Sequence, residues 1–121
     1  MCKESRENKR GFSRLNAEFY VRYKNIINDM SQKHSRFVIT KSINISKRGI
    51  CISAPCEMAN DTMIHSDIFI HDRIIRSFCR VRWSKPSRGG AGYECGMNFV
   101  IFNEPDMDFI GETVEKYGRS G

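Results

Sequence analysis

The chain has 121 residues, of which 40% are apolar and eight are phenylalanine, enough for one modest core and too few for two. Its net charge of +6 is local: residues 1–48 hold twelve Lys or Arg against four acids, while the remainder holds eight against ten, which points to an anionic partner at the N-terminal half. The longest nearly apolar stretch, residues 97–102, is too short to cross a bilayer, no secretory apolar segment follows the basic start, and five cysteines read as reduced thiols, so the expectation is a cytoplasmic protein without membrane insertion.

Residues 1–16 lack a sustained apolar period and read as a flexible basic arm, with residues 17–118 forming the folded domain. Residues 18–23 alternate Phe19, Val21 and Tyr23 against Glu18, Tyr20 and Arg22, the pattern of a half-buried strand. A loop is expected over residues 24–35. Residues 37–43 are β-branched and apolar, residues 44–49 supply turn chemistry, and residues 50–53 resume extended structure. Residues 63–70 form the next expected strand, and residues 71–73 its turn. The following strand alternates Ile75, Ser77, Cys79, Val81 and Trp83 on one face with Arg76, Arg80 and Arg82 on the other, interrupted by Phe78. A Gly-rich connection over residues 85–92 leads into a sixth strand, where Tyr93, Cys95, Met97 and Phe99 share a face. The period then changes. Met107, Ile110, Val114 and Tyr117 lie on one helical face, with a capping candidate at residues 103–106 and Gly118 as the stop. Short strands followed by one terminal helix predict a mainly β fold, a closed or nearly closed antiparallel barrel covered by that helix.

Two elements carry functional chemistry. Lys9, Arg10 and Arg14 lie in the arm, and thirty residues after Arg14 comes Asn44-Ile-Ser46-Lys-Arg48-Gly49. Arginine pairs at spacing four arise by chance in a chain with twelve arginines, whereas an Asx-x-Ser-x-x-Gly turn is expected on the order of 0.1 times in this length. In this order, a basic arm, two strands, the turn and a further strand resemble the PilZ domain, the bacterial receptor module for cyclic di-GMP. The resemblance covers about residues 8–117. It implies a six-stranded PilZ-type barrel that binds the messenger without catalysis and signals to a downstream protein. It implies Arg10 and Arg14 as the arginine motif and Asn44, Ser46 and Gly49 as the turn motif, with Lys9, Arg48 and Trp83 as further candidates. The chemistry is suitable. Arginine's planar fork pairs with phosphate or guanine O6 and N7 and its face stacks on bases, Asn44 and Ser46 offer polar groups to the ligand, and Gly49 permits a close approach. Asn44 stands where the family often has Asp, which removes a charge-assisted hydrogen bond to guanine. An arm without a core pattern that carries half of a site predicts ordering of the arm on binding.

Each feature also has a plainer reading. The arginines alone describe a solvated basic tail, the turn an ordinary Asx or Ser turn, and Trp83 a core side chain. The cysteines and histidines have no zinc spacing and no catalytic motif, so neither a cofactor nor an enzyme is expected. A single-stranded nucleic-acid barrel, motivated by the basic half with Phe12, Phe19, Tyr20 and Tyr23, and a ligand-independent interaction barrel are the alternatives.

Overall fold

Alternation of β-branched and polar residues puts one face of every strand on a shared interior. The computed structural model describes residues 14–26 and 37–118. The elements in chain order are β1 (Tyr20–Asn25), β2 (Val38–Ile45), β3 (Gly49–Ala54), β4 (Met63–Ile70), β5 (Arg73–Pro86), β6 (Tyr93–Ile101) and α1 (Glu104–Gly118). All strand pairs are antiparallel and follow the order β1-β2-β3-β6-β5-β4, with β1 bonded to both β2 and β4. The barrel is closed, so none of the six strands presents a full unpaired edge.

Val21, Ile45, Ile52, Ile64, Ile68, Ile70, Ile75 and Val81 fill the interior at 1% exposure or less. Each such side chain stabilises the fold by roughly 1.5–3 kcal/mol. Two of the buried hydroxyls pair with each other. Ser66 and Ser77 face each other across β4 and β5 with their hydroxyls 3.2 Å apart, and Ser66 Oγ is 3.4 Å from Cys79 Sγ.

Asn103 caps α1 by accepting the Asp106 N–H on Oδ1 at 2.9 Å. The helix lays Ile110 and Val114 against the core, with Met107 and Phe109 beside them. Tyr117, expected on that face, is 43% exposed and instead meets the His71 ring. Arg73 Nη2 donates to Asp106 Oδ1 at 3.0 Å and its guanidinium lies 4.5 Å from the Phe109 centroid, tying the start of β5 to the first helical turn.

Several expected details change. β1 begins and ends two residues later than the alternation suggested, and β2 runs through Asn44 and Ile45, so the loop between β2 and β3 is short. Within the arm expected over residues 1–16, Leu15 is anchored: its N–H donates to the Ile45 carbonyl at 2.8 Å, the Ile45 N–H returns a bond at 3.0 Å, and its side chain joins the core. Ser42 continues this attachment, its hydroxyl donating to the Ala17 carbonyl at 2.6 Å and accepting the Phe19 N–H at 2.9 Å. Lys9 and Arg10 lie outside the described residues.

Candidate functional site

Two register shifts build the site. In β2 the pairing with β3 passes from Ser42↔Ile52 to Asn44↔Cys51, leaving Ile43 as an extra residue. In β5 the pairing with β6 passes from Val81↔Met97 to Trp83↔Gly96, leaving Arg82 extra. A bulge reverses which side of the sheet the following residues face. Ile45 and Ile50 therefore remain inside, while Asn44, Cys51, Gly96 and Trp83 form one continuous row on the outer wall across β2, β3, β6 and β5. This corrects the simple alternation that placed Trp83 with Val81 on the inward face.

Trp83 is half-buried because its indole lies flat on Gly96. A Cβ at position 96 would collide with Cε2 and Nε1 of the indole and come within 2.7 Å of Cζ2. On the opposite side, Lys85 Nζ stands 5.3 Å from the Trp83 ring centroid. The tryptophan is thus neither core nor fully wet.

Around this row is a shallow cleft of about 100 Å³ lined by Arg14, Asn44, Ser46, Arg48, Arg82, Trp83 and Asn98, with Gly49 and Gly96 at its floor. A neighbouring cleft of about 540 Å³ shares Asn44 and adds Asn16, Lys85, Arg88 and Glu94. The first cleft is smaller than a drug-sized pocket, so it can enclose only part of a larger ligand. Three arginines border it without a carboxylate among the lining residues, which makes the surface complementary to an anion.

Lys9 and Arg10 lie outside the described residues, and each of the other expected site residues has a definite place. Arg14 reaches the cleft because Leu15, next to it, is bonded to Ile45, one residue from Asn44 and Ser46. Arg14 and the turn, thirty residues apart in sequence, therefore meet at one rim. Asn44 is only 8% exposed, lines both clefts, and has no protein partner for its side-chain amide among the described residues. Ser46 helps to hold the fold, because its Oγ accepts the Arg48 N–H at 3.1 Å while its own N–H donates to the Gly49 carbonyl at 2.9 Å, closing the turn. Its hydroxyl proton is still able to donate outward. Gly49 is fixed by the barrel rather than by any ligand, since a Cβ there would strike the carbonyl oxygen of Met97 on β6. The Arg48 carbonyl accepts the Phe99 N–H at 2.9 Å, which holds the turn against β6, and its side chain borders the cleft.

Arg82, Asn98, Cys51 and Gly96 also line the cleft and were not singled out from sequence as site residues. A glycine inside an expected strand, at position 96, was the available signal for a close approach. Arg82 gave none, because its bulge depends on the partner strand. Among the described residues no group of three or more metal-ligating side chains occurs, and no helix is long and apolar enough to cross a membrane.

A closed six-stranded barrel with a helix packed on its core and a cationic, tryptophan-bearing cleft on its wall defines a small β-barrel with an anion-complementary surface. The sequence matches the PilZ domain family over residues 4–116, and the chain belongs to that family. PilZ domains are generally cyclic di-GMP receptors. Among solved structures, the fold is similar to the Bacillus subtilis inhibitor of motility MotI/DgrA, with a TM-score of 0.75 and 15% identity over 91% of this chain and 51% of that one. The chain thus spans about half of that protein. It is also similar to the PilZ domain of CeSA from a cellulose synthesizing bacterium, with a TM-score of 0.56 and 13% identity over 89% of this chain and 98% of that one. At these identities the likeness concerns the fold. No curated protein matches the chain.

Proposed function

We propose that this chain is a non-enzymatic receptor for cyclic di-GMP, bound across the outer cleft between the arm and the β2–β3 turn. The observation that carries this reading is the convergence of Arg14 with Asn44, Ser46 and Arg48 on one rim, beside Trp83. In this reading Arg14, with Arg10 from the arm, grips phosphate or a guanine Hoogsteen edge, and the flat guanidinium faces stack on bases. The open amide of Asn44 reads a guanine edge, Ser46 donates its hydroxyl proton, Arg48 adds charge and Trp83 supplies an apolar platform. Lys9 adds a further cation. Ligand contacts from the arm bring residues 1–13 onto the barrel, extending the attachment that begins at Leu15, and the altered surface is presented to a downstream protein.

Isothermal titration calorimetry with cyclic di-GMP, with GTP and cyclic di-AMP as controls, tests the proposal. Selective binding at micromolar affinity or tighter is expected, with most of it lost in Arg14→Ala and nearly as much in Arg14→Lys. Lysine retains the charge but not the fork. Wild-type affinity in the lysine variant would remove arginine geometry from the mechanism.

A ligand-independent interaction barrel is the second reading, favoured by the structural duties of Ser46 and Gly49, which the fold requires whether or not a ligand binds. Absence of selective binding by the folded protein would establish it over the first. Single-stranded nucleic acid fits the described aromatics poorly: Tyr23 is 6% exposed, Phe19 packs on the core, and the exposed Tyr20 ring has Lys41 Nζ 5.6 Å from its centroid.

A further inference from the structure

Extending away from the cleft edge at Arg82, the described residues carry a pair of opposite charge stripes. The outer face of β5 carries Arg76 and Arg80, with Arg82 at the bulge, all exposed. Arg76 Nε approaches the buried Asp67 only to 3.9 Å, with its side chain 68% exposed, and no carboxylate pairs with Arg80 or Arg82 among the described residues. Apolar side chains border the stripe: Ile74 is 44% exposed at its start, and Ile101, paired with Phe78 beside it, is 57% exposed.

The matching surface is on α1. Glu104, Asp108, Glu112 and Glu115 are all exposed and lie at i, i+4, i+8 and i+11. At 100° per residue these positions fall within an arc of about 80°, forming a single acidic line roughly 16 Å long. The arginine stripe from residue 76 to residue 82 is roughly 20 Å long at strand rise. Asp106, the other acid in the first turn, is buried and engaged by Arg73, which keeps it out of the line. None of the four exposed acids has an ion pair among the described residues.

We propose that two copies of this chain associate by laying the acidic stripe of α1 against the arginine stripe of β5. The chain's own undescribed segments are poorly suited to cover the arginines, because residues 1–13 carry four Lys or Arg against two acids, residues 27–36 carry two against one, and residues 119–121 carry one against none. The α1 stripe has the opposite sign and a comparable length, and the exposed Ile74 and Ile101 add apolar area beside the charges. The Arg73–Asp106 bond holds β5 and the helix in a fixed relation within each copy, so both stripes are presented together by a rigid body. The contact joins different surfaces, so it forms either a two-fold pair that uses it twice or an open head-to-tail chain.

Sedimentation velocity of the full chain over a range of concentrations, at about 0.05 M and about 0.5 M salt, tests the association. The expected result is a mass that rises with concentration at low salt and returns to the monomer at high salt. Arg76→Glu/Arg80→Glu and Asp108→Lys/Glu112→Lys are each expected to weaken association at least tenfold, and their equimolar mixture to restore it. Circular dichroism and the melting midpoint establish that the variants are folded. If a reversal unfolds, Arg80→Gln and Glu112→Gln replace it and should each weaken association less strongly. A wild-type chain that stays monomeric at every concentration, association that survives either change, or a mixture that fails to associate overturns the proposal. A monomer that instead binds a glutamate-rich peptide through Arg76 and Arg80 would transfer the stripe to a foreign acidic partner.

Discussion

Trp83 is the only tryptophan, so intrinsic fluorescence reports directly on the cleft. Its indole rests on Gly96, and even a methyl group at that position must push it away. Gly96→Ala is therefore expected to shift the emission maximum to the red, weaken cyclic di-GMP binding by about tenfold, or about 1.4 kcal/mol, and destabilise the fold little more than that. A titration of variant and wild type by fluorescence and calorimetry checks both effects. Gly49 should behave differently. The obstacle there is the Met97 carbonyl, backbone that can yield only if β3 and β6 part, so Gly49→Ala is expected to lower stability by about 1–3 kcal/mol in urea titrations, with or without ligand. Gly49 was read from sequence as a position of close approach, and Gly96 offered the signal of a glycine within a strand. What approaches them was not legible, because neither the tryptophan nor the carbonyl is a sequence neighbour.

At the scale of elements, the helix was read well because its period, its cap and its stop are all local signals. Asn103→Ala removes the acceptor for the Asp106 N–H and is expected to cost about 1 kcal/mol in a melting or urea experiment. Ligand affinity should be unchanged, since none of α1 lines the cleft. The strands were legible in number and, over most of their length, in orientation: Val21 and Tyr23, Ile75, Ser77, Cys79 and Val81, and Cys95 with Met97 face inward as alternation requires. Alternation failed at Trp83 because one extra residue, Arg82, reverses the face after it. The same device operates at Ile43 and turns Asn44 outward. Neither Ile43 nor Arg82 is a glycine or proline that would announce an irregularity, so both bulges are set by which residues the neighbouring strands offer as partners.

For the whole molecule, closure of the barrel places thiols and phenols where ionisation is costly. Burial pushes the Cys95 thiol up to about 11 and the Tyr23 phenol up to about 12, and burial also raises Cys79. The unfolded chain therefore releases these protons at lower pH than the folded one. Their contribution is fully present below the ordinary thiol pKa near 9.0 and is lost as pH rises toward about 11 for Cys95, with Tyr23 following toward about 12. Urea midpoints should accordingly fall from about pH 9 upward, and Cys95→Ala, although less stable at neutral pH, should show a flatter decline over that interval. An unchanged slope would remove Cys95 as a source of the alkaline loss. In the native protein at mildly alkaline pH, a thiol reagent is expected to modify exposed Cys56 promptly, while buried Cys51, Cys79 and Cys95 react only on unfolding.

The sequence by itself determined the number of strands, the helix and its cap, the inward sets of most strands, and the presence of an Asn-x-Ser-x-x-Gly turn thirty residues after Arg14. These follow from short-range periodicity and from residue types whose chemistry is independent of distant neighbours. Only the tertiary structure decided that Asn44, Cys51, Gly96 and Trp83 form one outer row, that Leu15 delivers Arg14 to its rim, and that Arg82 belongs beside them. The physical reason is that register around a closed barrel is a long-range quantity. Each bulge and each approach of backbone to side chain is settled by strands far apart in sequence, as they come together to close the cylinder.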